Sequence, residues 1–311
     1  MTTQLMPSVS VIIATRDRPQ FLWRSVESAR SAGDDVEIVV VDDASSHETT
    51  QLCKAMPGIK YVRAERQQGL GGARNIGLIA SRGEFVTFLD DDDLRLRHSL
   101  RAQVDLLKQN KSAALIYAQA IVEGSAGEFI RTYPRQCPSG DLFWMLVARN
   151  FIPCASVVFR RSCLSQVGLL EDCSDAIEDW DLWVRIAEID SIIGLAAPVV
   201  VYRQSTPVSG QLSSQATEIV EAGIAHFREW MSSPRALAAS PEMRREAWAK
   251  FSENMAEHIL WETVRSLSYG KVLQSVDNVS VLARLYPFAI SRIVKRRLLS
   301  HGRSTFGAEQ N

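Results

Sequence analysis

The stretch from Gly83 to Leu94 reads GEFVTFLDDDDL, a short apolar segment that runs directly into four aspartates. Four adjacent carboxylates at the end of a buried strand repel one another, so a positive group must neutralise them. A hard divalent cation is one candidate, because Mg²⁺ and similar ions take oxygen ligands from carboxylates and from substrate phosphates. The alternative is a solvated acidic turn, since most charge runs are solvated. The stretch therefore predicts a buried strand that ends in a metal site or in a polar turn.

Apolar runs and helical patterns alternate on both sides of this stretch. The runs typical of strands are Val9–Ala14, Val36–Val41, Ile59–Arg63, Phe85–Leu89 and Ala113–Ala118. Helical patterns lie between them, such as Leu22, Val26 and Ala29 after Pro19, and Leu100, Val104 and Leu107. Strands that alternate with helices predict β-α-β units, an α/β class and a mainly parallel sheet flanked by helices.

Polar residues follow three of these strands. Thr15-Arg16-Asp17 comes after the first, Asp42-Asp43 after the second, and the four aspartates after Phe85–Leu89. Ligands of such sheets bind beyond the carboxyl ends of the strands. We therefore predict that the three clusters contribute to one ligand site.

The rest of the chain is organised differently. Residues 119–202 are less regular, and residues 204–215 are rich in Ser, Thr and Gln. Beyond them the pattern is helical, with a start at Ser240-Pro241 and a stop at Gly270. A last helix, Phe288–Ser300, mixes basic and apolar residues. We predict a catalytic domain over residues 1–212 and a helical extension over residues 213–311.

Composition limits the classes of protein. The chain has 311 residues, of which 46% are hydrophobic and 23% charged, as is ordinary for a globular protein. A net charge of −1 gives no sign of nucleic-acid binding. Five cysteines without a C-x-x-C pair argue against a disulfide framework and for a reducing compartment. With no evident signal peptide or spanning run, we predict a cytoplasmic protein.

Three common nucleotide- or metal-binding motifs are absent. The segment Gly69–Gly77, GLGGARNIG, fails the G-x-G-x-x-G pattern because Arg74 takes the place of the last glycine. It also lacks the Gly-Lys-Ser/Thr of a P-loop. The aspartates fail as an EF-hand loop, because Arg95 stands where that loop needs glycine.

The remaining motifs form an ordered series. They are VSVIIATRDRP, VEIVVVDDAS, GLGGARNIGLIASRGEFVTFLDDDD, NFIPCASVVFRRSCLSQVGLLED, IEDWDLWVRIA and VVYR. Together they resemble the catalytic domain of glycosyltransferase family 2, a GT-A fold, over roughly Pro7–Leu212. The resemblance implies an inverting sugar transfer from a nucleotide-sugar donor, with a UDP-sugar favoured, to a saccharide or lipid-linked acceptor. It also implies a role in surface polysaccharide or glycoconjugate assembly.

The resemblance implies residues for the donor. Asp43 matches the position that reads the base, although it could instead cap a helix. Arg74 matches a position near the nucleotide, with a surface arginine as the alternative, and Thr15 lies where the first strand meets the nucleotide. In the D-x-D region Asp90 and Asp91 shape the donor site. Asp92 is the implied ligand of a divalent cation, Mg²⁺ or Mn²⁺, that bridges the two phosphates. We expect Asp93 to cap the next helix.

Asp179 matches the family's general base, which takes the proton of the acceptor hydroxyl as its oxygen attacks the sugar. The alternative is that Asp179 only caps the helix that follows. Glu178 and Trp180 are implied next to the acceptor, and Trp183 belongs there or in the core.

Two features leave alternatives open. Many relatives carry a histidine two residues after the Tyr202-Arg203 strand end, but this chain has Ser205, which puts metal or donor use in question. The basic C-terminal helix could lie on the inner face of a membrane or pack on the protein. Two other functions also remain possible: a nucleotidyltransferase on a similar sheet, and a non-catalytic nucleotide-sugar binding module.

Overall fold

The computed structural model describes residues 7–124, 126–171, 177–203, 216–268, 270 and 272–285. The chain divides into two compact units. The first comprises Met1–Leu146 and Asn150–Thr206, and the second Val147–Arg149 and Pro207–Asn311. The predicted boundary at residue 212, Ser205 and the basic segment Phe288–Ser300 all lie outside the described residues.

Strands and helices alternate through the first unit, as the sequence predicts. The strands are β1 (Val9–Thr15), β2 (Val36–Asp42), β3 (Lys60–Arg63), β4 (Phe85–Phe88), β5 (Leu94–Arg95), β6 (Ala113–Glu123), β7 (Phe129–Tyr133), β8 (Val158–Arg160) and β9 (Ser191–Arg203). The first seven helices are α1 (Pro19–Ser31), α2 (His47–Ala55), α3 (Gly69–Ala80), α4 (Ser99–Gln109), α5 (Phe143–Ala148), α6 (Leu164–Val167) and α7 (Glu178–Ile189).

One sheet contains all nine described strands. Its order is β3-β2-β1-β4-β8-β6-β9-β5, with β7 beside β6. The α/β class is confirmed, and the half formed by β3, β2, β1 and β4 is parallel as predicted. The other half is mixed: β6 and β9 are parallel, whereas β8 is antiparallel to both β4 and β6. These strands come from residues 119–202 and their surroundings, where the sequence alternation is weak.

The register of β1 brings the polar clusters to one edge. Thr15 pairs with Asp42 of β2, and Ile12 pairs with Phe88 of β4. The residues of β1 and β4 are almost entirely buried, as expected of central strands with near-continuous apolar sequence. The carboxyl ends of β1, β2 and β4 therefore meet at the same edge.

Gly77 allows α3 to lie very close to β1. A Cβ atom at Gly77 would be 2.3 Å from Cγ2 of Ile12, far inside van der Waals contact. Only a residue without a side chain fits at this crossing. The close approach fixes the height of α3 above the sheet and, one turn earlier, the position of Arg74.

The second unit contains α8 (Ala216–Trp230), α9 (Pro234–Ala238), α10 (Pro241–Ser268) and α11 (Val272–Leu285). As the four-residue spacing predicts, Ala247, Phe251, Met255 and Ile259 form the buried stripe of α10. Phe251 and Phe227 of α8 pack with ring centroids 4.8 Å apart. Within the described ranges, every helix is too short or too polar to cross a bilayer.

Candidate active site

Thr15 and Asp91 join the ends of β1 and β4. The Thr15 hydroxyl donates to Oδ2 of Asp91 at 2.8 Å, and both side chains are buried. Burial raises the pKa of Asp91 to about 7, against the opposing effect of the nearby Arg18 guanidinium. Two of the three predicted clusters therefore meet, and the aspartates do not form a solvated turn.

The four aspartates have unequal surroundings. Asp90 is 36% exposed in its side chain, whereas Asp91, Asp92 and Asp93 are buried. Asp93 does not cap α4, which begins at Ser99 after His98, so that prediction is wrong. Its Oδ1 instead accepts from the backbone N–H of Arg203 at 3.1 Å and holds the end of β9. The other oxygen of Asp93 is buried with no hydrogen-bond partner among the described residues.

Arg18 neutralises part of this cluster. Its guanidinium lies 2.9 Å from Oδ1 of Asp91 and also pairs with Asp92. The Arg18 guanidinium thus already contacts Asp92, the predicted metal ligand, and Asp91, a predicted donor-site residue. Hard oxygen ligands on adjacent buried carboxylates suit Mg²⁺ or Mn²⁺, so the residues present fit a divalent cation.

Asp42 and Asp43 have different roles: Asp42 is structural, and Asp43 is a candidate binding residue. Asp42 is fully buried and accepts from the Tyr61 hydroxyl at 2.7 Å and the Ser45 N–H at 2.8 Å. Burial alone would raise the pKa of Asp42, but these hydrogen bonds hold it below the usual range. Asp42 therefore fixes the turn that presents Asp43.

Asp43 caps a helix, but not the helix that follows it directly. Its two carboxylate oxygens accept from the N–H groups of Gln68 at 2.6 Å and Gly69 at 3.1 Å, at the start of α3. This cap explains why α3 begins at Gly69, within the glycine-rich segment Gly69–Gly77. A cavity of about 590 Å³ lies at the same turn, lined by Ala64, Glu65, Arg66, Gln68 and Ile76.

Arg74 connects the sheet to α7. It is 3% exposed, so the surface-arginine alternative is wrong. Its guanidinium donates to Oδ1 of Asp90 at 2.7 Å and pairs with Oε1 of Glu178, over the ring of Phe88 at 5.1 Å. Residues from α3, the end of β4 and the start of α7 therefore meet at one guanidinium.

The first turn of α7 carries the candidate base. Ile177 precedes the helix, so Asp179 is a first-turn residue rather than the N-cap. Oδ1 of Asp179 accepts from the Trp180 N–H at 2.6 Å. Burial raises the pKa of Asp179 above that of an ordinary aspartate, and Arg74 opposes the rise. Burial likewise raises the pKa of Glu178 to about 8.

The two residues predicted near the acceptor, Glu178 and Trp180, are both buried. Trp180 is 2% exposed, and its Nε1 donates to the Leu146 carbonyl at 2.7 Å, so it packs in the core. Glu178 is buried against Arg74. Trp183 is fully buried, in agreement with its core alternative. Glu178 and Trp180 thus have buried contacts, and their place beside the acceptor stays a prediction.

Sequence reasoning passed over two residues of the site. Arg18 stood in the quoted TRDRP segment, but nothing in its spacing showed that it would reach the aspartates. Cys154 lies near the acids of α7, and its thiol opposes the rise that burial causes in the pKa of Asp179. Only the position of Cys154 in the NFIPCASVVF motif hinted at a place in the site.

The chain matches a known family over about half of its length. The model described as "Glycosyl transferase family 2" covers residues 10–167. An uncharacterized glycosyltransferase of Nostoc sp. is 25% identical over 273 residues, which are 84% of this chain and 77% of the relative. A GalNAc(5)-diNAcBac-PP-undecaprenol beta-1,3-glucosyltransferase of Campylobacter jejuni is 36% identical over 124 residues, 38% of this chain and 40% of that protein.

Solved structures share the fold at low identity. The mannosyltransferase PcManGT from Pyrobaculum calidifontis, in complex with GDP-Man and Mn²⁺, aligns with a TM-score of 0.57 and 17% identity, covering 99% of this chain and 89% of that one. S. aureus TarS 1-349 with UDP-GlcNAc aligns with a TM-score of 0.54 and 18% identity, covering 87% and 89%.

Proposed function

Because the chain belongs to glycosyltransferase family 2, we propose that it transfers a sugar from a nucleotide-diphosphate donor to an acceptor hydroxyl with inversion. The catalytic domain in this proposal is residues 1–212, and residues 213–311 are a helical extension. The observation that carries the proposal is the meeting of Asp90 and Glu178 at the buried Arg74. Asp179 is the neighbour of Glu178 in the chain, so this contact supports a base beside the carboxylate cluster.

The donor occupies the edge formed by β1, β2 and β4 in this proposal. Asp43 accepts from the base, since a carboxylate that caps a helix retains lone pairs for a further donor. Thr15, Asp90 and Asp91 line the ribose and sugar side, and Arg74 holds Asp90 in place. A cavity of about 590 Å³ at the Asp43-capped turn has the volume of a small-ligand site.

Asp92 would hold Mg²⁺ or Mn²⁺, with its neighbours Asp91 and Asp93 completing the negative charge. When bound, the cation would neutralise the charge that develops on the leaving diphosphate. The contribution of the chain is to keep these carboxylates together at a buried strand end, which costs free energy unless a cation compensates.

Asp179 would accept the proton of the acceptor hydroxyl. It must be ionised to do so, and burial, which raises its pKa, makes the ionised carboxylate a stronger base. The acids in the first turn of α7 benefit from the positive end of the helix dipole. Arg74 pairs with Glu178, the neighbour of Asp179 in the same turn.

The donor and acceptor are proposed by class. The two solved relatives carry different bases, GDP-Man in one and UDP-GlcNAc in the other, so the fold does not select the base. We favour a UDP-sugar and a saccharide or lipid-linked acceptor in surface polysaccharide assembly. The undecaprenol-linked acceptor in the name of the Campylobacter relative supports this class. A cytoplasmic enzyme, peripheral on the inner face of the membrane, suits such an acceptor.

A thermal-shift screen of nucleotide sugars with Mg²⁺ and Mn²⁺ tests the proposal. A donor that binds the native state raises its melting temperature. We expect one nucleotide diphosphate sugar to do so only with a divalent cation, and we expect Asp92→Ala to lose the cation-dependent part. A screen in which no nucleotide sugar shifts the wild-type protein contradicts the proposal.

A further inference from the structure

Arg18 contacts two carboxylates of the proposed donor site, and one of them, Asp92, is the proposed cation ligand. One guanidinium nitrogen lies 2.9 Å from Oδ1 of Asp91, and another pairs with Oδ2 of Asp92. Both acids are buried, at 3% and 8% exposure. A metal bound by Asp92 and the Arg18 guanidinium would therefore compete for the same oxygens.

The surroundings of Arg18 allow it to leave these oxygens. Its side chain is 35% exposed, whereas that of Arg74 is 3% exposed. It rests on the ring of Phe21, 5.2 Å from the centroid, and a second guanidinium, that of Arg203, lies 5.5 Å from the same ring. An aromatic face supports a guanidinium without fixing its direction.

The backbone beneath Arg18 is held in place. Asp17 adopts a left-handed conformation with φ of 53°. Its N–H donates to the Ser45 hydroxyl at 3.1 Å, and its carboxylate accepts from the Ser46 N–H at 2.6 Å. The base of the side chain is thus anchored, and a change of rotamer alone can redirect the guanidinium.

We propose that Arg18 is a movable positioning residue that occupies the cation site before the donor arrives and then binds the donor diphosphate. The inference rests on the proposed function, because it needs Asp92 to bind a metal. A guanidinium displaced from Asp92 stays within a side chain's reach of phosphate oxygens bound to that metal. Arginine pairs with phosphate through two parallel hydrogen bonds, which favours the new position.

This arrangement predicts that Arg18 has opposite effects on the binding of two ligands. Without a diphosphate, Arg18 competes with the metal and weakens its binding. With a diphosphate, Arg18 adds a positive contact and strengthens binding. Removing a purely structural arginine would weaken the binding of both ligands or of neither.

The test uses the full-length chain and probes that need no knowledge of the donor. Free Mn²⁺ is measured by electron paramagnetic resonance in titrations of wild type, Arg18→Ala and Arg18→Lys. Inorganic pyrophosphate with Mg²⁺ is titrated by calorimetry into the same proteins. Arg24→Ala is the matched control, because Arg24 is an exposed arginine of α1. Circular dichroism confirms that each variant is folded.

We expect Arg18→Ala to bind Mn²⁺ alone about fivefold more tightly, and magnesium pyrophosphate about fivefold more weakly, which is the lower end of ordinary coupling between sites. Arg18→Lys keeps the charge but lacks the paired N–H donors of the guanidinium, so we expect its two affinities to lie between those of Arg18→Ala and wild type. Arg24→Ala matches wild type. Mn²⁺ affinity that is unchanged or weaker in Arg18→Ala overturns the inference, as does unchanged pyrophosphate affinity.

Asp92→Asn separates this inference from the proposed function. If Asp92→Asn abolishes Mn²⁺ binding but Arg18→Ala leaves it unchanged, the role of Arg18 is overturned and the metal assignment stands. If Asp92→Asn leaves Mn²⁺ binding intact, the metal assignment is overturned, and the inference about Arg18 is overturned with it.

Discussion

The acids at the end of β4 and the acids at the start of α7 are neutralised by different kinds of arginine. Arg18 meets Asp91 and Asp92 from a loop, with 35% of its side chain exposed. Arg74 meets Asp90 and Glu178 from inside α3, with 3% exposed, over the ring of Phe88. The two arginines carry the same charge in surroundings of opposite accessibility.

The difference separates an exchangeable contact from a fixed one. A guanidinium that is partly exposed can regain water when its partner is taken, so its ion pair is easier to exchange than one in which both partners are buried. A buried guanidinium has no such option, and removing either partner leaves an uncompensated charge. The β4 end is thus suited to bind a ligand, and the α7 end is suited to hold a catalytic geometry.

The largest expected effect concerns activity at the α7 end. Asp179→Asn keeps the shape of the side chain but removes its basicity, so transfer falls by about 10²–10⁴-fold, the usual contribution of general base catalysis. Donor binding, measured by thermal shift, stays close to wild type. Asp105→Asn, an exposed acid on α4, is the matched control with full activity. Turnover of Asp179→Asn at the wild-type rate contradicts the assignment.

The next effect compares the stability contributions of the two arginines. Arg74→Met leaves Asp90 and the buried Glu178 without their cation, so we expect a loss of about 3–5 kcal/mol in the free energy of unfolding. Arg18→Met also leaves the buried Asp91 and Asp92 without their arginine, but we expect a smaller loss because the Arg18 side chain is 35% exposed. Chemical denaturation measures both. Equal losses for the two variants would remove the distinction between a fixed and an exchangeable arginine.

A smaller effect tests how α3 positions Arg74. A methyl group at Gly77 collides with Ile12, so Gly77→Ala costs about 1–3 kcal/mol, as overpacked cores do. The double variant Ile12→Ala/Gly77→Ala should lose less than the sum of the two single variants, because the first change makes room for the second. Strict additivity in denaturation experiments would show that the close approach of α3 to β1 carries no strain in Gly77→Ala.

The smallest effect is a shift in pH dependence. Burial raises the pKa of Asp179, and the negative charge of Asp90 contributes to the rise. Transfer needs the ionised carboxylate, so kcat/KM falls as the pH drops through a pKa above that of an ordinary aspartate. Asp90→Asn removes a neighbouring negative charge and should move this acid limb to lower pH, whatever the height of the plateau. An acid limb that stays in place shows that Asp90 does not influence the base.

Local patterns predicted the parallel half of the fold. The apolar runs of β1, β2 and β4 and the polar residues after them are short-range signals, and the structure places them at one edge. The family resemblance added the GT-A class and a glycosyltransferase, and both are confirmed by the comparisons. The mixed half of the sheet was not predicted, because antiparallel pairing of β8 depends on contacts between distant segments.

The site residues were located by motif, but their partners were not. Nothing in the local sequence tells that Arg74 is buried, or that Asp43 caps α3 rather than α2. Trp180 is polar on one edge and apolar on its faces, so its sequence position suits an acceptor platform or a core equally well. The burial of Trp180 in the core is visible only in the packing of the folded chain.

The contact between Arg74 and Glu178 joins residues 104 positions apart in the chain. Closing so long a loop is slow, and its entropy cost is offset only when the intervening strands have paired. A nascent or partly folded chain therefore lacks the link between donor edge and base, even when β1, β2 and β4 have formed. A chain that has lost this single contact should therefore lose transfer before it loses its fold.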